Sequence, residues 1–166
     1  MMPFYFWAGG FIFILYFEKE LLMEKYKFPL PCYELTDTII GIYYSTLSSF
    51  SAPRGIPEKT FRDVFVLRLK SAGLRAEAEK PIVVRDKGEY VRTLHADIVI
   101  EDLVVVELKN VKKVSDKHIE QDMNYMDYGG CPIGLIFNYG QPKSLPQRLP
   151  RPSFYHKEPK KCPDSK

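Results

Sequence analysis

The segment that most constrains this chain is HADIVIEDLVVVELKN, residues 95–110. Its two runs, ADIVI and LVVVEL, are rich in β-branched residues, which suit a pleated, buried surface better than a helix. Glu101 and Asp102 lie between the runs as an acidic turn, so the two read as neighbouring strands of one sheet. Each strand nevertheless carries an acid among apolar residues, Asp97 in the first and Glu107 in the second, with Lys109 two positions further on. Side chains alternate faces along a strand, which puts Asp97 with Val99 and Glu101, and Glu107 with Val105 and Lys109. A hairpin pivoting on Asp102 pairs residues equidistant from it, so Asp97 faces Glu107 with Cα atoms about 4.5 to 5.5 Å apart.

Burying two carboxylates and an ammonium in a Val/Ile/Leu sheet costs on the order of several kcal/mol per ion unless they are paired or liganded. One solution is a structural ion pair between the acids and Lys109. The other is a divalent cation, and Mg²⁺ suits a site offering a few carboxylates plus room for water and phosphate oxygens.

The flanking sequence predicts helices on either side of this sheet. In YELTDTIIGIYYSTLSSF, Ile39, Ile40, Tyr43 and Tyr44 recur at helical spacing, with Thr36 or Asp37 as a candidate cap. After the punctuation SAPRGIP, the segment EKTFRDVFVLRLKSAG places Phe61, Val64, Phe65 and Leu69 on one face and stops at Gly73. LRAEAEKPIVV then alternates as a strand, with Pro81 suited to a sheet edge or a strand start, and RDKGEY supplies a turn. SDKHIEQDMNYMDYGG sets Ile119, Met123 and Met126 on a helix face, with Ser115 as cap and Gly129 to Gly130 as stop. PIGLIFNYG returns to a buried strand. The fold class is therefore α/β, a mixed central sheet flanked by helices.

Four elements in this order resemble the GxxExxY family of the PD-(D/E)XK nuclease superfamily. Asp97, nine residues, then Glu107-Leu108-Lys109 matches the superfamily signature; GIPEKTF keeps Gly55 and Glu58 of the Gly-x-x-Glu-x-x-Tyr motif, with Phe61 where tyrosine is usual. HADIVIEDLVVVELK resembles the family hairpin, with His95 in place of the usual arginine, and DKHIEQDMNYM resembles its following helix. There, Gln121 to Tyr125 also fits the Gln-x-x-x-Tyr motif of RecB-type nucleases. The resemblance implies a restriction-endonuclease-like core and metal-dependent phosphodiester hydrolysis, with DNA favoured over RNA as substrate. It implies that Asp97, Glu107 and the Leu108 carbonyl hold Mg²⁺ or Mn²⁺, that Glu58 adds a helix acid, and that Lys109 acts on the attacking water or the phosphate. Gln121 would contact the lysine, the water or a phosphate, with Tyr125 and His118 along the nucleic-acid path. The alternative is a catalytically weak or inactive nuclease-fold module that binds nucleic acid or a protein partner; a homodimer stays open.

The expected nuclease-like domain covers residues 33–140. Residues 141–166 hold six of the thirteen prolines and seven basic against two acidic residues, which reads as an extended or disordered tail in place of the family's closing strand. The 24 basic and 21 acidic residues leave a net charge of only +3, so any nucleic-acid surface must be local. Arg62 and Arg92 read equally as surface charge or phosphate contacts. Cys32, Cys131 and Cys162 are widely spaced and form no CxxC, which suggests neither a disulfide framework nor a zinc site and makes a reducing cytosol the simplest compartment. Residues 1–32 begin with an almost continuous apolar run, PFYFWAGGFIFILYF at 3–17, shorter than the roughly 20 residues of a membrane span. It reads as a short membrane or interface anchor, an extra helix packing on the domain, or, the preferred reading, translated upstream sequence before a start at Met23.

Overall fold

The computed structural model describes residues 32–151; the expectations for the apolar N-terminal run and for the tail beyond 151 lie outside these residues. The chain forms α1 (Tyr33–Ser48), a short 3-10 turn (Pro53–Gly55), α2 (Glu58–Ser71), β1 (Ala76–Asp86), β2 (Glu89–Ile100), β3 (Val104–Lys109), α3 (Asp116–Gly129), β4 (Ile133–Asn138) and β5 (Gln147–Pro150). The strands make one mixed sheet in sequential order, antiparallel except where β3 and β4 run parallel through the α3 crossover. This is the α/β arrangement expected from the sequence.

Alternation along β3 decides how the layers form. Val104, Val106 and Leu108 face α1 and α2 and join the larger core with Ile39, Tyr43, Phe61, Phe65 and Leu69. Val105 faces α3 and packs with Val99, Tyr125 and Met126 in a second core. Glu107 and Lys109 continue the Val105 face. Ring stacking ties the first layer down: Tyr43 lies on Phe137 with centroids 4.1 Å apart, and Phe61 lies on Tyr139 at 4.6 Å. Such pairs add about 0.5–1.5 kcal/mol beyond the area they bury. The Phe61 stack also sets the position of the first turn of α2, one turn away.

The β2–β3 connection is the three-residue loop 101–103, in which Glu101 and Asp102, both in the left-handed region at φ 54° and 55°, are the central residues of a β-turn closed by the Leu103 N–H donating to the Ile100 carbonyl at 3.0 Å. Its register runs Ile100↔Val104, Val99↔Val105, Ile98↔Val106, the pivot expected from sequence. The turn's charges are met locally, with Arg75 donating to Asp102 at 2.7 Å and the Arg75 N–H to Glu101 at 2.6 Å. Pro81 sits on β1, an edge strand, where its missing N–H costs no ladder bond.

Three expectations need correction. The first helix begins at Tyr33, ahead of both proposed caps, and Thr36 bonds back to the Tyr33 carbonyl at 2.8 Å from inside the helix. Cys131 is a free buried thiol, but Cys32 is disulfide-bonded, which the cysteine spacing did not suggest. The chain also does not leave the fold at 140: residues 147–150 form β5 on the edge of β4, with Arg148 opposite Leu135. Arg148 is buried, pairs with Asp37 of α1 and places its guanidinium 4.5 Å from the centre of the Tyr33 ring. Prolines are tolerated there because β5 is short and at the edge. Among the described residues no helix is long and apolar enough to cross a membrane.

Candidate active site

Asp97 stands where β2 separates from its neighbours on both sides. On the β1 side, the ladder passes from Ala78↔Ile98 to Lys80↔Ala96 without pairing Glu79 to Asp97, and Glu79 sits at φ 50°. On the β3 side, the ladder ends at Ile98↔Val106, and the next N–H, that of Leu108, donates to Asp97 Oδ2 at 2.8 Å. Asp97 thus replaces a backbone acceptor, and the expected Asp97–Glu107 pair is corrected: the β2–β3 ladder ends one pair short of it. Irregularities of this kind re-aim side chains at strand ends.

Glu107 is buried at 1% exposure. Its Oε1 accepts from Lys109 Nζ, while Oε2 is buried without a partner. Burial, then the Asp97 charge, push its carboxyl up to about 7 against the pull of Lys109. Burial pulls Lys109 the other way, but its hydrogen bond to Glu107 and the Glu107, Asp97 and Glu58 charges outweigh this, and its pKa rises. Lys109 is therefore held as an ammonium. The ion pair expected of a purely structural arrangement is present, yet it uses only half of the Glu107 carboxylate.

Glu58 opens α2 and remains exposed. Its carboxyl is raised first by partial desolvation and second by Asp97, with Lys109 and Arg62 opposing, so it shares the electrostatic field of the strand residues. The loops after β3 and β4 hold this helix start: Asn110 donates to the Arg54 carbonyl at 3.0 Å, and Arg54 donates to the Gly140 carbonyl. Gly140 is needed at that crossing, because a Cβ there would lie 2.5 Å from Asn110 Oδ1.

From the other face, α3 brings Gln121 and Tyr125, which bond to each other, Gln121 Nε2 donating to the Tyr125 hydroxyl at 2.8 Å. Tyr125 is mostly buried and feels Glu107, Asp97 and Lys109. His118 accepts the Ser115 N–H on Nδ1 at 3.2 Å, so the contact it makes is that of a helix cap. Arg62 is not surface charge: it is buried and pairs with Glu79 at 2.9 Å beside the β1 irregularity. Arg92 and His95 are exposed on β2.

Sequence reasoning missed Asp122. It is fully buried, and neither carboxylate oxygen has a hydrogen-bond partner. Burial raises its pKa well above the ordinary value, with Glu107 and Asp97 adding to the effect. The available signal was its place directly after Gln121, on the flank of the predicted core stripe.

The donor set suits a hard cation: two strand carboxylates, one with a buried free oxygen, and a backbone carbonyl between Glu107 and Lys109. Among the described residues, no three His, Cys, Asp or Glu side chains stand close enough together to hold a metal ion by themselves. Mg²⁺ does not require that, since it keeps several waters and binds through one or two carboxylates plus phosphate oxygens. A family model described as the PD-(D/E)XK nuclease superfamily matches residues 33–149, from the start of α1 into β5. No curated protein and no solved structure matches the chain.

Proposed function

The chain belongs to the PD-(D/E)XK nuclease superfamily, and on that premise we propose that it is a Mg²⁺- or Mn²⁺-dependent nuclease of the GxxExxY type acting on DNA. The observation that carries this reading is the convergence of Asp97, Glu107 and Lys109 at one strand end, with one buried carboxylate oxygen of Glu107 left free. Asp97, Glu107 and the Leu108 carbonyl would hold the ion, with Glu58 approaching from α2. In a strand, a residue's N–H and C=O leave on the same side, so the Leu108 carbonyl faces β2 together with the N–H that Asp97 accepts. The ion, when bound, polarises the scissile phosphate and lowers the pKa of the attacking water.

The chain's own residues do the rest. Lys109, held protonated, donates to the water or to a phosphate oxygen and stabilises the negative charge that builds there. Tyr125 holds the Gln121 amide, which would contact the lysine, the water or a phosphate from α3. Partial burial and Asp97 leave Glu58 readier to take up a proton than an ordinary surface acid.

A second reading is favoured by the absence of a three-carboxylate shell among the described residues. It makes the chain a nuclease-fold module that binds nucleic acid or a protein partner with little or no turnover. Incubating the full chain with single- and double-stranded DNA, with and without Mn²⁺, separates the two. The nuclease reading expects cleavage only with metal, reduced at least about a hundredfold in Glu107→Gln. Absence of metal-dependent cleavage, or cleavage unchanged in Glu107→Gln, overturns it.

A further inference from the structure

We propose that Asp122 is a further acidic member of the cation site, adding its charge from the helix side beneath Glu107. The proposal rests on the nuclease reading above and deepens it.

Asp122 stands in the middle of α3, at 0% exposure, with Oδ1 and Oδ2 both unpartnered. A carboxylate in an apolar interior must be matched by positive charge or neutralised. Its immediate neighbours provide no match. Oδ2 occupies the place where a side chain at position 134 would begin: a Cβ on Gly134 would lie 1.9 Å from it and 3.1 Å from Met126 Sδ. The glycine of β4 therefore makes room for this carboxylate.

Gly134 pairs with Val105, and Glu107 is the next residue on that face of β3. Same-face residues along a strand are roughly 7 Å apart and neighbouring strands about 4.8 Å apart, so Asp122, seated over Gly134, lies diagonally below Glu107, one step along the sheet and one strand across. The buried carboxylate oxygens without partners in the described residues belong to these two side chains alone; the other unpartnered buried atoms are arginine nitrogens. Among charged groups, Glu107 affects Asp122 most, followed by Asp97, with Lys109 opposing. Lys109 is already committed to Glu107 Oε1. Glu58, Asp97, Glu107 and Asp122 thus share one lysine, and a divalent ion would supply the missing positive charge.

The test is a calorimetric titration of the full chain with MnCl₂, together with the melting temperature of the metal-free protein, for wild type, Asp122→Asn, Asp122→Leu and Asp97→Asn. Both Asp122 variants should fold and melt at or above the wild-type temperature without metal, because an unpaired buried acid has been removed. Both should bind Mn²⁺ about tenfold more weakly or worse, in the range by which groups supporting a metal's ligands change its affinity. Asp97→Asn should lose Mn²⁺ binding. A folded Asp122 variant with wild-type affinity overturns the proposal, and so does failure of both variants to fold, which would make Asp122 a purely structural group. If Asp97→Asn loses the ion while the Asp122 variants keep it, this proposal fails alone; if the wild type takes up no Mn²⁺, the metal site fails with it.

Discussion

The Asp97 carboxylate accepts the backbone N–H of Leu108 at 2.8 Å, so the residue proposed to hold the metal also closes the hairpin ladder. The two roles separate by substitution. Asp97→Ala leaves the Leu108 N–H unpaired in a residue of 0% exposure and should cost about 1–3 kcal/mol in urea denaturation. Asp97→Asn keeps an acceptor oxygen and should cost less than about 1 kcal/mol, while lowering metal-dependent cleavage at least about a hundredfold. Equal stability of the two variants would show that the bond does not support the fold.

Glu107 makes the metal-free protein sensitive to pH. Its folded pKa, about 7, lies above its ordinary 4.5, so the uncharged acid is the form the fold prefers. The stability it contributes is fully present below about 4.5 and is lost as pH rises through about 7. The metal-free protein should therefore lose up to about 3 kcal/mol between pH 4.5 and 8 through this group, an effect absent in Glu107→Gln. Mn²⁺ binding should run the other way, tightening as pH rises through 7, because the ion must displace that proton. Calorimetric titrations at pH 6 and pH 8 decide the sign.

How much of this was legible in the sequence depended on the range of the interaction. The hairpin pivot, the three helices and the Asp97, Glu107 and Lys109 cluster follow from local periodicity, and the structure has them. Arg62 and Asp122 look like polar positions flanking a core stripe; their burial is decided by Glu79 and Gly134, which lie on other elements. The strand β5 carries no periodic signal in four residues, and what fixes it is Arg148 meeting Asp37 at the far end of the described chain.

That contact yields a third prediction. The Arg148 side chain is at 0% exposure, whereas Asp37 retains 32% and can turn to water. Arg148→Ala removes the ion pair, the contact over Tyr33 and much packed volume, and should destabilise by about 2–4 kcal/mol. Arg148→Met fills most of the volume without a charge and should cost less than about 1 kcal/mol, since buried ion pairs are often matched by apolar residues of similar size. Urea denaturation of both variants measures the split. A severe loss in Arg148→Met would mean that the charge itself holds β5 to α1.

The contact between Asp122 and Gly134 predicts a coupling that neither residue shows alone. Gly134→Ala puts a Cβ 1.9 Å from Asp122 Oδ2 and 2.8 Å from its Cγ, distances at which atoms must move. The obstructing group is a buried carboxyl on a helix packed against the sheet, so relief requires shifting α3 or forcing a poor rotamer. The single variant should lose at least about 1–3 kcal/mol, the usual cost of overfilling a packed core. Asp122→Ala removes the obstruction, and the added methyl then occupies part of the space the carboxyl leaves. In the double variant Gly134→Ala/Asp122→Ala, most of the loss should therefore disappear, giving a coupling energy of at least about 1 kcal/mol in a double-mutant cycle. Additive effects would place the two side chains out of contact and remove the steric reason for glycine at this position of β4.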